Sequence, residues 1–267
     1  MDSPPAIYHQ IEGPETGAPV VLLNGGLMSA FAWEPVAASL RGEYRLVRLD
    51  FRGQLMSLAA GPPPPDLSGH AADVVAVLDK LGIAKAHIVG TSFGALVGLV
   101  LAAEHPDRVL SLVALTATGR ISPEGVAGTQ KLRRLARDAA AGGDGGLLLD
   151  TIVPTTYSPE WIAANGELLK TRRAQVAALP AAWFTGIDGL LASLEVAEPW
   201  RVLGKIRCPT TIVEAEKDVT FPPPSSEELA AGIAGAKRVV VPGASHGLVL
   251  ERPEETVAVL RAALGSK

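Results

Sequence analysis

The chain reads as an α/β protein in which a mostly parallel, doubly wound sheet carries a helical insertion. Three observations predict this. Short strand-like runs alternate with helix-spaced stretches between residues 6 and 115. The alternation stops near Gly119 and strand character returns only at Pro209. With 267 residues, 48% of them hydrophobic, the chain can bury one large core without disulfides. Cys208, the single cysteine, rules out an internal disulfide and any multi-cysteine zinc site.

The elements follow in order. Residues 6–12 form a strand closed by a Gly-Pro-Glu-Thr-Gly turn, and residues 19–23 form an apolar strand running into Asn24-Gly25-Gly26. Residues 30–40 have helical spacing, and residues 44–50 alternate with period two. After a proline-dense loop at 62–65, the stretch 67–81 places Ala71, Val74, Val75 and Leu78 on one helical face. A strand at 87–91, a helix at 93–105 and a strand at 109–115 complete the rhythm. Strand–helix–strand repetition implies parallel pairing through right-handed crossovers, with both sheet faces covered. Residues 121–200 read as helical, with breaks at Gly142–Gly146 and Pro180, before strands at 209–215 and 237–241. The domain expectation is a core of residues 1–120 and 201–267, with residues 121–200 inserted as a lid.

A formal net charge of −4 and only 19% charged residues argue against nucleic-acid binding, which needs a concentrated basic face. Lys131, Arg133, Arg134 and Arg137 fall near helical spacing and read as a solvated lid face. The apolar run from 88 to 103 is interrupted by glycines and too short to span a bilayer, so no membrane partner is expected. The first ten residues lack the basic-then-apolar pattern of a secretory signal, and a cytoplasmic protein is expected. No metal-ligand spacing is present, and neither a metal nor a cofactor is expected. The sequence leaves a homodimer open.

The most informative stretch is strand, then Gly90-Thr91-Ser92-Phe93-Gly94, then helix. A G-x-S-x-G turn there holds the serine strained and exposed at the sheet's carboxyl edge, and the following helix aims its N–H groups at a developing oxyanion. The competing reading is a glycine-rich turn of a phosphate-binding fold, but neither G-x-x-x-x-G-K-[ST] nor G-x-G-x-x-G is present. A serine nucleophile needs a base, usually histidine, oriented by a carboxylate. His9, His70, His87 and His105 read as structural or solvated. His246 lies in the loop Gly243-Ala-Ser-His-Gly247 between the last strand and the last helix. Asp218, just after the strand at 209–215, fits the acid. Glu214 and Glu216 are rivals in that strand or at its end, and Thr116-Ala-Thr118 offers no carboxylate after the strand before it.

The chain order Ser92, Asp218, His246, together with Asp50-Phe-Arg-Gly53, Trp33 and Cys208-Pro209, resembles the α/β-hydrolase superfamily, in its esterase, lactonase and C–C hydrolase branch. The resemblance covers nearly the whole chain outside the insertion. It implies an oxyanion hole made by the N–H groups of Gly26 and Phe93. Two departures stand out: Asn24-Gly25 replaces the family's usual His-Gly, and Arg52-Gly-Gln-Leu-Met-Ser57 replaces Arg-Gly-His-Gly-x-Ser. An amide at 24 is expected to lack the histidine's loop support, and the second departure to alter local conformation.

Leu27, Met28, Trp183, Val219 and Leu248 are expected to line a substrate pocket; Trp161, Trp183, Trp200 and Phe184 lie within the insertion and serve either as pocket or as packing. Cys208 reads as a buried small hydrophobe. The functional expectation is a cofactor-independent serine hydrolase of carboxylic esters or lactones, whose partner is a small molecule with an apolar acyl part. A C–C bond hydrolase of ring-cleavage products and a non-catalytic small-ligand sensor are the alternatives.

Overall fold

The computed structural model describes residues 6–265; the ends of the expected core, 1–5 and 266–267, lie outside the described residues. Strands β1 (His9–Glu12), β2 (Ala18–Leu23), β3 (Tyr44–Leu49), β4 (Ala86–Thr91), β5 (Val109–Leu115), β6 (Thr210–Ala215) and β7 (Lys237–Val241) form one sheet. Their order is β1-β3-β2-β4-β5-β6-β7. Only β1 is antiparallel, pairing with β3 from His9 opposite Leu49 to Glu12 opposite Leu46. The other pairs are parallel, as apolar strands joined by helical crossovers must be.

The helices are α1 (Glu34–Leu40), α2 (Leu67–Lys80), α3 (Phe93–Glu104), α4 (Pro123–Ala140), α5 (Gly146–Thr156), α6 (Pro159–Ala164), α7 (Gly166–Ala177), α8 (Ala181–Glu195), α9 (Pro224–Gly232), α10 (Leu248–Glu251) and α11 (Pro253–Leu264). The expected helix at 30–40 divides into a 3-10 turn, Ala30–Trp33, and α1, whose first turn holds Pro35. Proline lacks an N–H and fits the first helical turn, so the α-helix starts there rather than at residue 30. The strand expected at 6–12 pairs only from His9.

The sheet separates two apolar layers. One joins α2, α3 and α8 to the sheet through Phe51, Leu67, Val74, Phe93, Leu96, Trp183, Phe184 and Leu190. The other packs Trp33, Val36, Leu40, Leu248, Val257 and Leu260 against the opposite face. Helix α3 is apolar all round and buried except at its last residue, which is why it lies central rather than amphipathic at the surface.

Five helices, α4 to α8, intervene between β5 and β6. Ser122 and Ser158 cap α4 and α6, accepting the Gly125 and Trp161 N–H groups. Arg133 donates to Asp188 and Glu195, and Arg137 to Asp188. These two arginines therefore tie α4 to α8 rather than forming the simple solvated face that their spacing suggested. No single helix among the described residues is long and apolar enough to cross a membrane.

Candidate active site

Strand order reverses at β2, whose neighbours are β3 and β4, and in open α/β sheets such a switch point at the carboxyl edge is where ligands bind. Four loops leaving β2, β4, β6 and β7 meet at that edge.

The β4 loop carries Ser92, with φ 51° and ψ −118°. A non-glycine residue in this region costs about 1–3 kcal/mol, so the surroundings must impose it. The Ser92 N–H donates to the Leu115 carbonyl at 3.0 Å, which anchors the elbow to the end of β5. A β carbon on Gly94 would sit 2.3 Å from the Leu23 carbonyl oxygen, and one on Gly90 would sit 2.3 Å from that of Gly94. The glycines are what allow the turn to pack against the end of β2.

Ser92 Oγ lies 2.9 Å from His246 Nε2, and His246 Nδ1 lies 2.8 Å from Asp218 Oδ2. The other Asp218 oxygen accepts the Thr220 and Phe221 N–H groups, both at 2.8 Å. Asp218 is 3% exposed and His246 9%, while Ser92 is half-buried. A carboxylate only accepts, so Nδ1 carries the imidazole proton and Nε2 is left to accept from the serine hydroxyl. The Phe221 ring meets His246 edge to face at 5.3 Å.

The rival acids are engaged elsewhere. Glu214 accepts from Ser226 and from Arg238, and Glu216 accepts the Gly243 N–H. The other histidines are also apart from Ser92. His9 Nδ1 faces the Ile7 carbonyl, His87 pairs with Ser111, and His105 ends α3. His70 is fully buried edge to face against Phe51 and Phe93 with neither ring nitrogen hydrogen-bonded. Burial, helped by the Arg52 guanidinium, pushes the His70 imidazole down to about 3. Burial raises the Cys208 thiol, consistent with an inert packing residue.

The β2 loop brings Gly25 and Gly26 beside the elbow. Neither the Gly26 nor the Phe93 N–H has a protein acceptor among the described residues. Asn24 supports this loop after all, contrary to the expectation that an amide would fail to. Its Nδ2 donates to the Leu49 carbonyl, Asp50 and Gln54, and its Oδ1 accepts Trp33 Nε1 at 3.0 Å. Burial pushes the Asp50 carboxyl up, opposed by hydrogen bonds from Met56, Ala30 and Asn24.

Of the residues expected to line a pocket, Met28 and Leu27 border the loop; the Met28 sulfur lies 3.0 Å from where a Gly25 β carbon would be. Three others are corrected. Val219 is 68% exposed and closes nothing. Leu248 is fully buried in the layer on the α1 and α11 face, because the turn after His246 directs it inward. Trp183 is 5% exposed and packs edge to face on Phe184 within the core. Trp200 is likewise no pocket wall, since it lies between the Arg120 and Arg201 guanidiniums. Leu190 and Leu191 of α8, which the sequence reading missed and which are as buried as Trp183, pack beside Gly26.

The insertion also reaches the relay. Thr220 Oγ donates to the Thr155 carbonyl, and the Gly247 N–H donates to the Thr156 carbonyl at 2.6 Å. Tyr157, stacked on Trp161 with ring centroids 4.1 Å apart, fills the space where a Gly247 side chain would begin.

The sequence profile of the alpha/beta hydrolase fold matches residues 18–253, and the chain belongs to that family. It is a hydrolase of the α/β class. RutD of Klebsiella pneumoniae (strain 342), named for carbamate hydrolysis, is 32% identical over 239 residues, covering 87% of this chain and 86% of that protein. The enol-lactonase of Burkholderia xenovorans LB400 superposes with a TM-score of 0.85 at 26% identity, covering 97% of this chain and 96% of that one. A thermophilic esterase from Thermogutta terrifontis gives 0.83 at 25% identity, covering 97% and 92%.

Proposed function

We propose that the protein is a serine hydrolase that cleaves carboxylic esters, lactones among them, through an acyl-enzyme. The observation that carries this reading is the unbroken Ser92–His246–Asp218 chain at 2.9 and 2.8 Å. Ser92 Oγ attacks the carbonyl as His246 Nε2 takes its proton, and Asp218 steadies the imidazolium. The Gly26 and Phe93 N–H groups receive the oxyanion, with the N-terminus of α3 adding its dipole. His246 returns the proton to the leaving group, and water then attacks the acyl-Ser92 ester by the same route. Apolar Met28 beside Gly25, with Leu190 and Leu191 beside Gly26, suits an uncharged acyl group.

Carbamates form the second reading, favoured by the 32% identity to RutD. Their carbonyl would meet the same nucleophile and oxyanion donors. The C–C hydrolase alternative calls for an arginine free to bind a substrate carboxylate; Arg133, Arg137 and Arg173 of the insertion are engaged by Asp188, Glu195, Asp144 and Asp150, which leaves Arg134 and Arg172 as the insertion's candidates for that role. A pure ligand sensor has no use for a strained serine hydrogen-bonded to a histidine.

The test is a substrate panel of p-nitrophenyl esters of increasing chain length, lactones, aryl carbamates and vinylogous diketones, run beside labelling by an organophosphonate. Ester or lactone turnover, with Ser92 labelled and Ser92→Ala inert, is expected. Turnover confined to carbamates moves the substrate class. Labelling at another residue with Ser92 untouched overturns the assignment.

A further inference from the structure

Asn24 and Gln54, the two positions where the family pattern has histidine, are hydrogen-bonded to each other. Asn24 Nδ2 donates to Gln54 Oε1 at 3.0 Å, and both residues are fully buried. Gln54 Oε1 also accepts the Phe51 N–H at 2.9 Å, while Nε2 donates to the Gly25 carbonyl at 2.8 Å and the Gly26 carbonyl at 3.2 Å. Both donor hydrogens and both acceptor lone pairs of the amide are thus engaged.

We infer that Gln54 is a positioning residue for the oxyanion hole, an inference that rests on the hydrolase reading above. In a planar trans peptide the C=O and the following N–H point in opposite directions. Holding the Gly25 carbonyl toward Gln54 therefore turns the Gly26 N–H the other way. The loop adjoins the nucleophile, since a β carbon on Gly25 would lie 3.8 Å from Ser92 Cβ and one on Gly26 3.9 Å from Phe93 Cβ, and the Gly26 N–H has no protein acceptor among the described residues. The Met28 N–H adds a second bond to the same Gly25 carbonyl at 3.1 Å, closing the turn from the opposite side. The loop is rich in glycine and has no strand partner past Leu23. Without the amide only the Met28 N–H holds this peptide plane, and the hole's donor is aimed less firmly.

Neither amide titrates, and a carboxylate at 54 could accept but not donate. Gln54→Glu therefore keeps the bonds from Asn24 and Phe51 while setting an oxygen against the Gly25 and Gly26 carbonyls. Gln54→Met keeps approximate shape and removes every bond. Deleting an oxyanion donor outright lowers kcat about 10²–10³-fold, so misaiming one should lower it roughly 10- to 100-fold.

The experiment measures kcat and KM of both variants on a p-nitrophenyl ester, normalised to the sites that a phosphonate finally labels, with melting curves alongside. The expected result is a kcat loss of that size in folded protein, KM within about threefold, and phosphonate labelling slowed in parallel to the same full stoichiometry. A merely structural role would lower the labelled fraction and the melting temperature but not kcat per labelled site; that outcome, or failure of both variants to fold, overturns the positioning role. Wild-type protein inert toward ester and phosphonate alike overturns the hydrolase reading, and this inference with it. Active wild type with undiminished variants overturns the inference alone.

Discussion

Asp218→Asn is the sharpest probe of the relay, because the structure dictates how the new amide must sit. Asp218 Oδ1 accepts two backbone N–H groups, from Thr220 and Phe221, each at 2.8 Å. An asparagine keeps those bonds only by leaving its oxygen there and turning its NH2 toward His246. Nδ1 must then accept, the imidazole proton moves to Nε2, and that N–H faces Ser92 Oγ, which loses its base. Restoring the working tautomer means flipping the amide and setting its NH2 against two part-buried backbone N–H groups, at roughly 1 kcal/mol or more each. A total of about 2 kcal/mol or more corresponds to a rate loss of roughly 30-fold or more. In serine proteases the same substitution lowers kcat by about 10⁴ through the wrong tautomer.

The assay is kcat on the best ester from the panel, with circular dichroism and a melting curve to show that the variant is folded. Glu216→Gln, at an exposed residue, should leave kcat within about twofold, since surface substitutions are usually near neutral. Glu214→Gln should cost stability rather than rate, because it weakens a buried charge-assisted contact with Arg238. A folded Asp218→Asn enzyme within tenfold of wild type would refute the tautomer argument. A crippled Glu216→Gln beside it would move the acid to Glu216.

Three further outcomes are expected. Gly247→Ala should lower kcat at least tenfold, because its β carbon falls 2.4 Å from Tyr157 Cε1, and Tyr157→Ala in the same chain should restore part of the loss; strict additivity of the two changes in a double-mutant cycle would show that they do not meet. His70 is held neutral down to about 3, whereas in the unfolded chain it takes a proton near its ordinary 6.5. Its share of stability is therefore complete above about pH 6.5 and is lost as pH falls, by about 1 kcal/mol per pH unit. Urea unfolding at pH 7.5 and 5 should show this slope, and His70→Phe should remove it; an unchanged slope contradicts the assignment. Trp183→Ala should cost about 3–5 kcal/mol of stability as a core truncation, and a stable variant with altered ester preference would return Trp183 to the pocket.

The fold and the three residues of the proposed relay could be picked out for a local reason. G-x-S-x-G, the loop holding His246 and the position of Asp218 just past a strand each depend on a few consecutive residues, and parallel topology carries all three loops to one sheet edge. The structure then brings Ser92, His246 and Asp218 within hydrogen-bonding distance. The pocket was not readable the same way. Val219 and Leu248 adjoin the relay in sequence, but neighbours on a turn point apart, and one faces solvent while the other enters the core. Leu190 and Leu191 reach Gly26 from a helix about 165 residues away, with no local signal beyond apolar spacing. Asn24 and Gln54 read as two separate losses of histidine, and only their contact across thirty positions shows one connected support.

The helices between β5 and β6 also meet the loops that carry Asp218 and His246. Consecutive carbonyls at the end of α5, Thr155 and Thr156, accept from Thr220 and Gly247. Thr220 is also the residue whose N–H holds Asp218 Oδ1, and Gly247 directly follows His246. The acid loop and the base loop are therefore fastened to one point on the insertion, while Ser92 is fastened to the sheet through Leu115. Movement of α5 relative to the core would act on the His246–Ser92 distance, since the two partners hang from different supports. Tyr157, wedged against Gly247 and stacked on Trp161, stands where the two supports meet.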